Sequence, residues 1–195
     1  MSNETLVNRI ANGDAKAFET LYHMYKDKVF NTVLSYIQQQ EESEEITQDI
    51  FVEIYRSSNN FKGESSERTW IYKIAVNKCL DHLRHRGRKK RFAFLLSIFN
   101  SESGALQIDV PHFEHPGIIL ENKDKAQILF KAIDKLPESQ KTAYILSYIE
   151  DLPGKEVASI MKTSPKAIES LLQRAKVQLR KELGKYYPER RKMKE

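Results

Sequence analysis

Residues Ser66 to Arg91 read SERTWIYKIAVNKCLDHLRHRGRKKR. This stretch predicts one helix that begins apolar and aromatic and ends strongly basic. Ser66 is placed to act as N-cap, its hydroxyl accepting from a free amide of the first turn. Trp70, Ile71, Ile74, Ala75, Leu80 and Leu83 recur at helical spacing, so one face is expected to be buried. A second stripe is polar: Lys73, Asn77, Asp81, Arg84 and Arg88. From Lys78 to Arg91, seven Lys or Arg stand against one acid. A helix buried on one side and basic on the other suits a polyanion.

The rest of the chain supports small helical domains. At 195 residues, one large or two small domains are expected. With 40% hydrophobic and 30% charged residues, cores form but surface is plentiful. Only 7 glycines and 6 prolines interrupt the pattern, and strand-like alternation is rare, which favours an all-α protein. The net charge of +5 is unevenly spread. Residues 38–56 carry six acids and one Arg, whereas residues 162–195 carry eleven Lys or Arg and four acids. Segregated charge points to more than one kind of partner.

The single cysteine, Cys79, excludes an intramolecular disulfide and a cysteine-rich zinc site, and is expected as a small core residue. Cys79 and His82 share a face, with His85 nearby, but no further ligand cluster accompanies them and the surroundings are basic, so no metal is expected. No signal peptide and no membrane-length apolar run is read, so a cytoplasmic location without direct membrane binding is expected.

In chain order, Ser2 or Asn3 is expected to cap a short helix that Gly13 ends, and Asp14 to cap a second over about Ala15 to Ile37. Phe18, Leu21, Tyr22, Tyr25, Val29, Val33 and Ile37 form its apolar stripe. Gln38 to Gln40 and the acids after them read as a turn. A third helix, about Ser43 to Ser57, turns Ile46, Ile50, Phe51 and Ile54 inward and leaves Glu45, Gln48, Asp49 and Glu53 as an acidic outer face. A polar loop follows, then the basic helix, then the apolar run Phe92 to Phe99. Residues 97–122 have no Lys or Arg, four acids, two prolines and two glycines, which marks a linker. Helical pattern resumes from Asn122 to Leu136, and again from Glu138 to Glu150. A short helix around Val157 to Met161, the turn Lys162-Thr163-Ser164 and a longer helix opened by Pro165 then form a helix-turn-helix. Its second helix, with Ile168, Leu171, Leu172, Ala175 and Leu179 inside, would present its N-terminal end to a major groove.

The order Trp70-Ile71-Tyr72-Lys73-Ile74-Ala75-Val76-Asn77, then Asp81-His82-Leu83-Arg84, resembles the promoter-melting segment of bacterial RNA polymerase sigma factors. The similarity is to the extracytoplasmic-function (ECF, group IV) branch of the sigma-70 family. Ala17-Phe18-Glu19-Thr20-Leu21-Tyr22 looks like the opening of sigma region two, and Glu44-Glu45-Ile46-Thr47-Gln48-Asp49-Ile50-Phe51 like its polymerase-docking segment. Leu136-Pro137-Glu138, Glu156-Val157-Ala158 and Ser164-Pro165-Lys166 fall in the order and spacing of region four. Pro153-Gly154 departs from the usual Ser/Thr-led start of the first motif helix. Glu169 and Leu171 stand where Lys and Arg are common, and Glu169 could accept from cytosine.

The resemblance implies two helical domains, region two over 1–96 and region four over 123–186, joined by a flexible linker over 97–122 and followed by a basic tail over 187–195. No region one or region three domain fits the length. It implies contact of Glu45, Gln48, Asp49 and Glu53 with the clamp coiled coil of the polymerase's largest subunit, and of the chain with its flap. It places Asn59, Asn60, Phe61, Lys62, Arg68, Trp70, Lys73, Asn77, Arg84 and Arg88 at the minus-ten element, where an extruded base needs polar edge contacts and an aromatic wall. It places Ser164, Lys166, Glu169, Ser170, Gln173, Arg174 and Lys176 at the minus-thirty-five element. The implied partners are core RNA polymerase and promoter DNA. A membrane-bound anti-sigma factor is a further candidate, since many ECF relatives are held inactive by one. No cofactor, catalytic residue or small-molecule substrate is expected. The rival is a stand-alone helix-turn-helix regulator that binds duplex DNA as a dimer, which explains residues 136–183 alone.

Overall fold

The computed structural model describes residues 4–99 and 123–186, which form helices joined by short turns and loops, with no strand among the described residues. Four helices form the first half: α1 (Leu6–Ala11), α2 (Ala15–Ile37), α3 (Gln40–Ser57) and α4 (Glu67–Phe99). Four more form the second: α5 (Lys123–Asp134), α6 (Glu138–Tyr144), α7 (Gly154–Ile160) and α8 (Pro165–Leu183). The expected linker beyond residue 99, the caps Ser2 and Asn3, and the tail over 187–195 lie outside the described residues.

Each helix start has a local cause. Thr5, not Ser2 or Asn3, caps α1, its Oγ1 accepting from the Asn8 amide at 3.2 Å. Asp14 caps α2 as expected, accepting from Ala17 N at 3.1 Å. Gln38 ends α2 in the left-handed region at φ 59°, and extended Gln39 completes the corner as the residue before α3. The turn expected over Gln38 to Gln40 and the acids after them is therefore shorter, and α3 begins at Gln40 with Glu41 and Glu42 near the positive end of its dipole. Ser66 caps α4, accepting from Thr69 N at 3.1 Å. No proline lies between Glu67 and Phe99, and the helix runs on eight residues past Arg91.

In the first half α2 is central and packs on α1, α3 and α4. Leu21, Val29, Val33, Ile50, Ile54, Ile71, Ala75 and Cys79 are fully enclosed. The buried centre of α4 is Ile71, Tyr72, Ala75, Val76 and Cys79, while Trp70, Ile74, Leu80 and Leu83 pack at its margin. The expected stripe is thus rotated by about one residue. In the second half α8 packs on α5, α6 and α7 through Ile168, Ala175 and Leu179. The helix expected over Glu138 to Glu150 is α6 followed by a π-helical turn over Ile145–Ile149. The halves also touch, through α4 against α7 and α2 against the π turn.

Candidate nucleic-acid interface

The outer face of α4 is built by helical spacing. Asn77, Asp81, Arg84 and Arg88 are exposed at intervals of three or four, with Lys73 half-buried at the start of the row. Arg84 pairs with Asp81 at 3.3 Å and with Glu138 of α6 at 2.7 Å, and that carboxylate holds its guanidinium pKa above the ordinary value. Arg88 is exposed as well, and Lys78 reaches Glu53 of α3 at 3.5 Å.

The loop before α4 forms a short 3-10 turn over Ser58–Asn60, then passes through Gly63 at φ 71°, a conformation that favours glycine. Asn59, Asn60 and Lys62 are exposed, whereas Phe61 is tucked in and meets Trp70 edge-on at 5.5 Å between ring centres. Trp70 is only half-buried, so one part of its ring anchors the core and another lines the surface. Arg68 does not stand free: it forks onto Glu156 of α7 at 3.2 and 3.3 Å.

The face of α3 opposite the core exposes Glu45, Gln48 and Asp49, while Glu53 is half-buried beside Lys78. The structure adds an apolar flank that the spacing did not reveal. Val52 and Tyr55 are 45% and 56% exposed on the same side of α3. Tyr55 meets Phe18 edge-on at 5.4 Å, and Tyr22 meets Phe51 at 4.8 Å. Phe18 and Tyr22, read from sequence as core, lie at the rim because α3 covers only part of α2's wide apolar stripe.

In α8, Ser164 is the N-cap, accepting from Ala167 N at 3.2 Å, and Pro165 follows at the first helical position. Lys162 turns the chain at φ 52°. Lys166, Glu169, Gln173 and Arg174 project outward from the first three turns, with Ser170 half-buried and bonded by Arg174 at 2.9 Å. Lys176 is also exposed, but its ammonium lies 4.7 Å from the ring centre of Tyr148. Among the described residues no group of three or more His, Cys, Asp or Glu is placed to hold a metal. His82 instead faces Glu42 at 3.1 Å.

Family comparison follows this division. Residues 21–89 match the model of sigma-70 region 2, and residues 126–179 match that of sigma-70 region 4. The chain is 30% identical over 178 residues to the ECF RNA polymerase sigma-E factor of Escherichia coli, covering 90% of this chain and 91% of that protein. The chain belongs to the ECF branch of the sigma-70 family. Another relative of this ECF sigma factor is the RNA polymerase sigma-H factor of Pseudomonas aeruginosa, 28% identical over 190 residues and covering 93% of each chain. Its fold resembles that of the sigma factor RpoE in a complex with the anti-sigma factor NepR from Bartonella quintana, with a TM-score of 0.66, 19% identity and coverage of 87% of this chain and 98% of that one. It also resembles CnrH in its complex with the cytosolic domain of CnrY, with a TM-score of 0.65, 18% identity and coverage of 92% and 95%.

Proposed function

We infer that this sigma factor binds core RNA polymerase and directs it to promoters, with α3 as the core contact, α4 and its preceding loop at the minus-ten element, and α8 at the minus-thirty-five element. The observation that carries the reading is the pair of sigma regions in one chain, in order, each presenting an exposed polar helix face. Glu45, Asp49 and Glu53 supply charge that steers α3 toward a basic partner, Gln48 adds an exposed amide among them, and Val52 and Tyr55 supply apolar area beside them. Asn59, Asn60 and Lys62 offer polar groups next to the Phe61–Trp70 pair, the combination a captured base needs. Lys73, Asn77, Arg84 and Arg88 carry the strand along α4. Ser164, Lys166, Glu169, Ser170 and Gln173 face base edges or the backbone at the groove, and Arg174 and Lys176 meet phosphates.

Opening draws on binding free energy, so the chain acts as an initiation factor and not as an enzyme. It works where RNA polymerase is, in the cytoplasm; no described helix is long and apolar enough to cross a membrane. An anti-sigma protein is a proposed regulator, by analogy with the two neighbouring complexes. A stand-alone dimeric regulator would leave the acidic face of α3 and the Trp70 to Arg91 segment without a role.

The decisive experiment mixes the purified chain with bacterial core RNA polymerase and follows complex formation and run-off transcription on genomic fragments. A stable complex that starts RNA at discrete sites is expected. Duplex binding by the chain alone, with no association with core, would favour the regulator.

A further inference from the structure

Three carboxylates of the second half meet polar groups of a single helix, α4. Glu156 of α7 accepts from Arg68 Nε at 3.2 Å and Nη2 at 3.3 Å, and from Thr69 Oγ1 at 3.2 Å. Glu150, just after the π turn, accepts from the Tyr72 hydroxyl at 2.9 Å. Glu138 of α6 accepts from Arg84 Nη2 at 2.7 Å. Arg68 and Arg84 are also residues assigned above to promoter DNA. A guanidinium fork that grips a carboxylate presents the same donors that a phosphate would take. One group cannot serve both at once.

We propose that Glu138 and Glu156 form an autoinhibitory latch, which holds the free sigma factor shut by occupying Arg84 and Arg68 of α4 and releases when that helix engages a promoter. The proposal rests on the reading of α4 as the minus-ten helix.

The latch closes onto a defined packing. Buried Lys141 of α6 donates to the Tyr36 carbonyl of α2 at 3.1 Å and also pairs with Asp134, and Gln38 donates to the Phe130 carbonyl at 3.2 Å. Of the outer pairs, Arg84 and Glu138 are exposed by 54% and 50% at their side chains, and Arg68 and Glu156 are half-buried. Such pairs are individually weak and screened by salt, as a releasable device requires. Closing and DNA binding then compete, and the apparent affinity for DNA falls with the fraction of chains that are open.

The test uses the full chain with dyes at Asn12→Cys and Ser159→Cys. The Val7 amide donates to Glu67 at 2.9 Å, which sets α1 against the start of α4, where α7 docks, so the dyes are close when the chain is shut. Buried Cys79 is spared from labelling. Glu138→Lys with Glu156→Lys is expected to reduce energy transfer by about half or more, the shift of a mostly closed population to a mostly open one. Adding Arg68→Glu and Arg84→Glu, which restores opposite charges across the contact, is expected to return it. Glu138→Gln with Glu156→Gln, a milder change that keeps side-chain size, is expected to move transfer the same way by less. Transfer unchanged in both the lysine and glutamine variants, or not regained on the charge swap, overturns the latch. Run-off transcription with core and the native chain is measured alongside. Its absence refutes the sigma-factor reading, and its presence with unchanged transfer removes the latch alone.

Discussion

Cys79 has no solvent exposure, and burial pushes its thiol up to about 12. The thiolate is the reactive form, so the folded chain holds this cysteine inert. Iodoacetamide is expected to modify it slowly in native buffer and at the rate of a free thiol in denaturant, read by mass spectrometry. Equal rates would mean that the α2–α4 packing does not enclose it. Glu150 is the more informative side chain. Burial raises its pKa from the ordinary 4.5, and hydrogen bonds from Thr32 of α2 and Tyr72 of α4, with the charge of Lys28, offset part of that rise. Closing the halves therefore favours the protonated carboxyl. As pH rises from 4.5 through the raised value, Glu150 ionises and closure loses free energy; above that value the loss is complete and flat. Energy transfer between the halves is expected to increase on acidification through that window, and Glu150→Gln to remove this component. An identical pH profile in the variant would mean that another group is responsible.

At the scale of single elements, α8 sets a folding contact, the Ser164 cap, within three residues of Lys166, which takes no part in folding. Ser164→Ala removes the N-cap and is expected to cost about 1 kcal/mol of stability, lowering the melting temperature. Lys166→Ala touches no cap and no core and is expected to leave melting unchanged while weakening protection of the upstream promoter element in a footprint. An unchanged footprint would remove Lys166 from the interface. Helix existence was legible because capping and periodicity are local: Asp14, Ser66 and Ser164 all cap as their spacing predicts. What was not legible depends on partners far along the chain. Spacing marks neither Tyr72 nor Lys141 as a contact between the halves, yet both are buried, one against Glu150 and the other beneath Tyr36. The turn at Gln38 was legible, but its length was not, for a different reason. A non-glycine residue at positive φ leaves no compositional mark, so the pattern places the start of α3 at about Ser43 where the helix begins at Gln40.

Across the whole molecule, charge segregation has a consequence for closure. The basic face of α4 has two neighbours, the acidic α3 within its own half and the carboxylates of α6 and α7 in the other. Lys78, His82 and Arg86 face Glu53 and Glu42 of α3, which leaves Arg68 and Arg84 for the second half. Contacts of exposed charges weaken as the Debye length falls from about 10 Å at 0.1 M salt to about 3 Å at 1 M. The buried part, Tyr36 with Lys141 and the apolar residues around them, is not screened in this way. Salt is therefore expected to lower energy transfer between Asn12 and Ser159 labels in the native chain to a plateau above the fully open value. The chain carrying Glu138→Lys and Glu156→Lys has like charges at both contacts, so screening relieves repulsion there and its transfer is expected to rise toward the same plateau. Opposite slopes that converge at high salt follow only if these pairs set the equilibrium. Parallel slopes would assign closure to the buried contact and leave the carboxylates as bystanders.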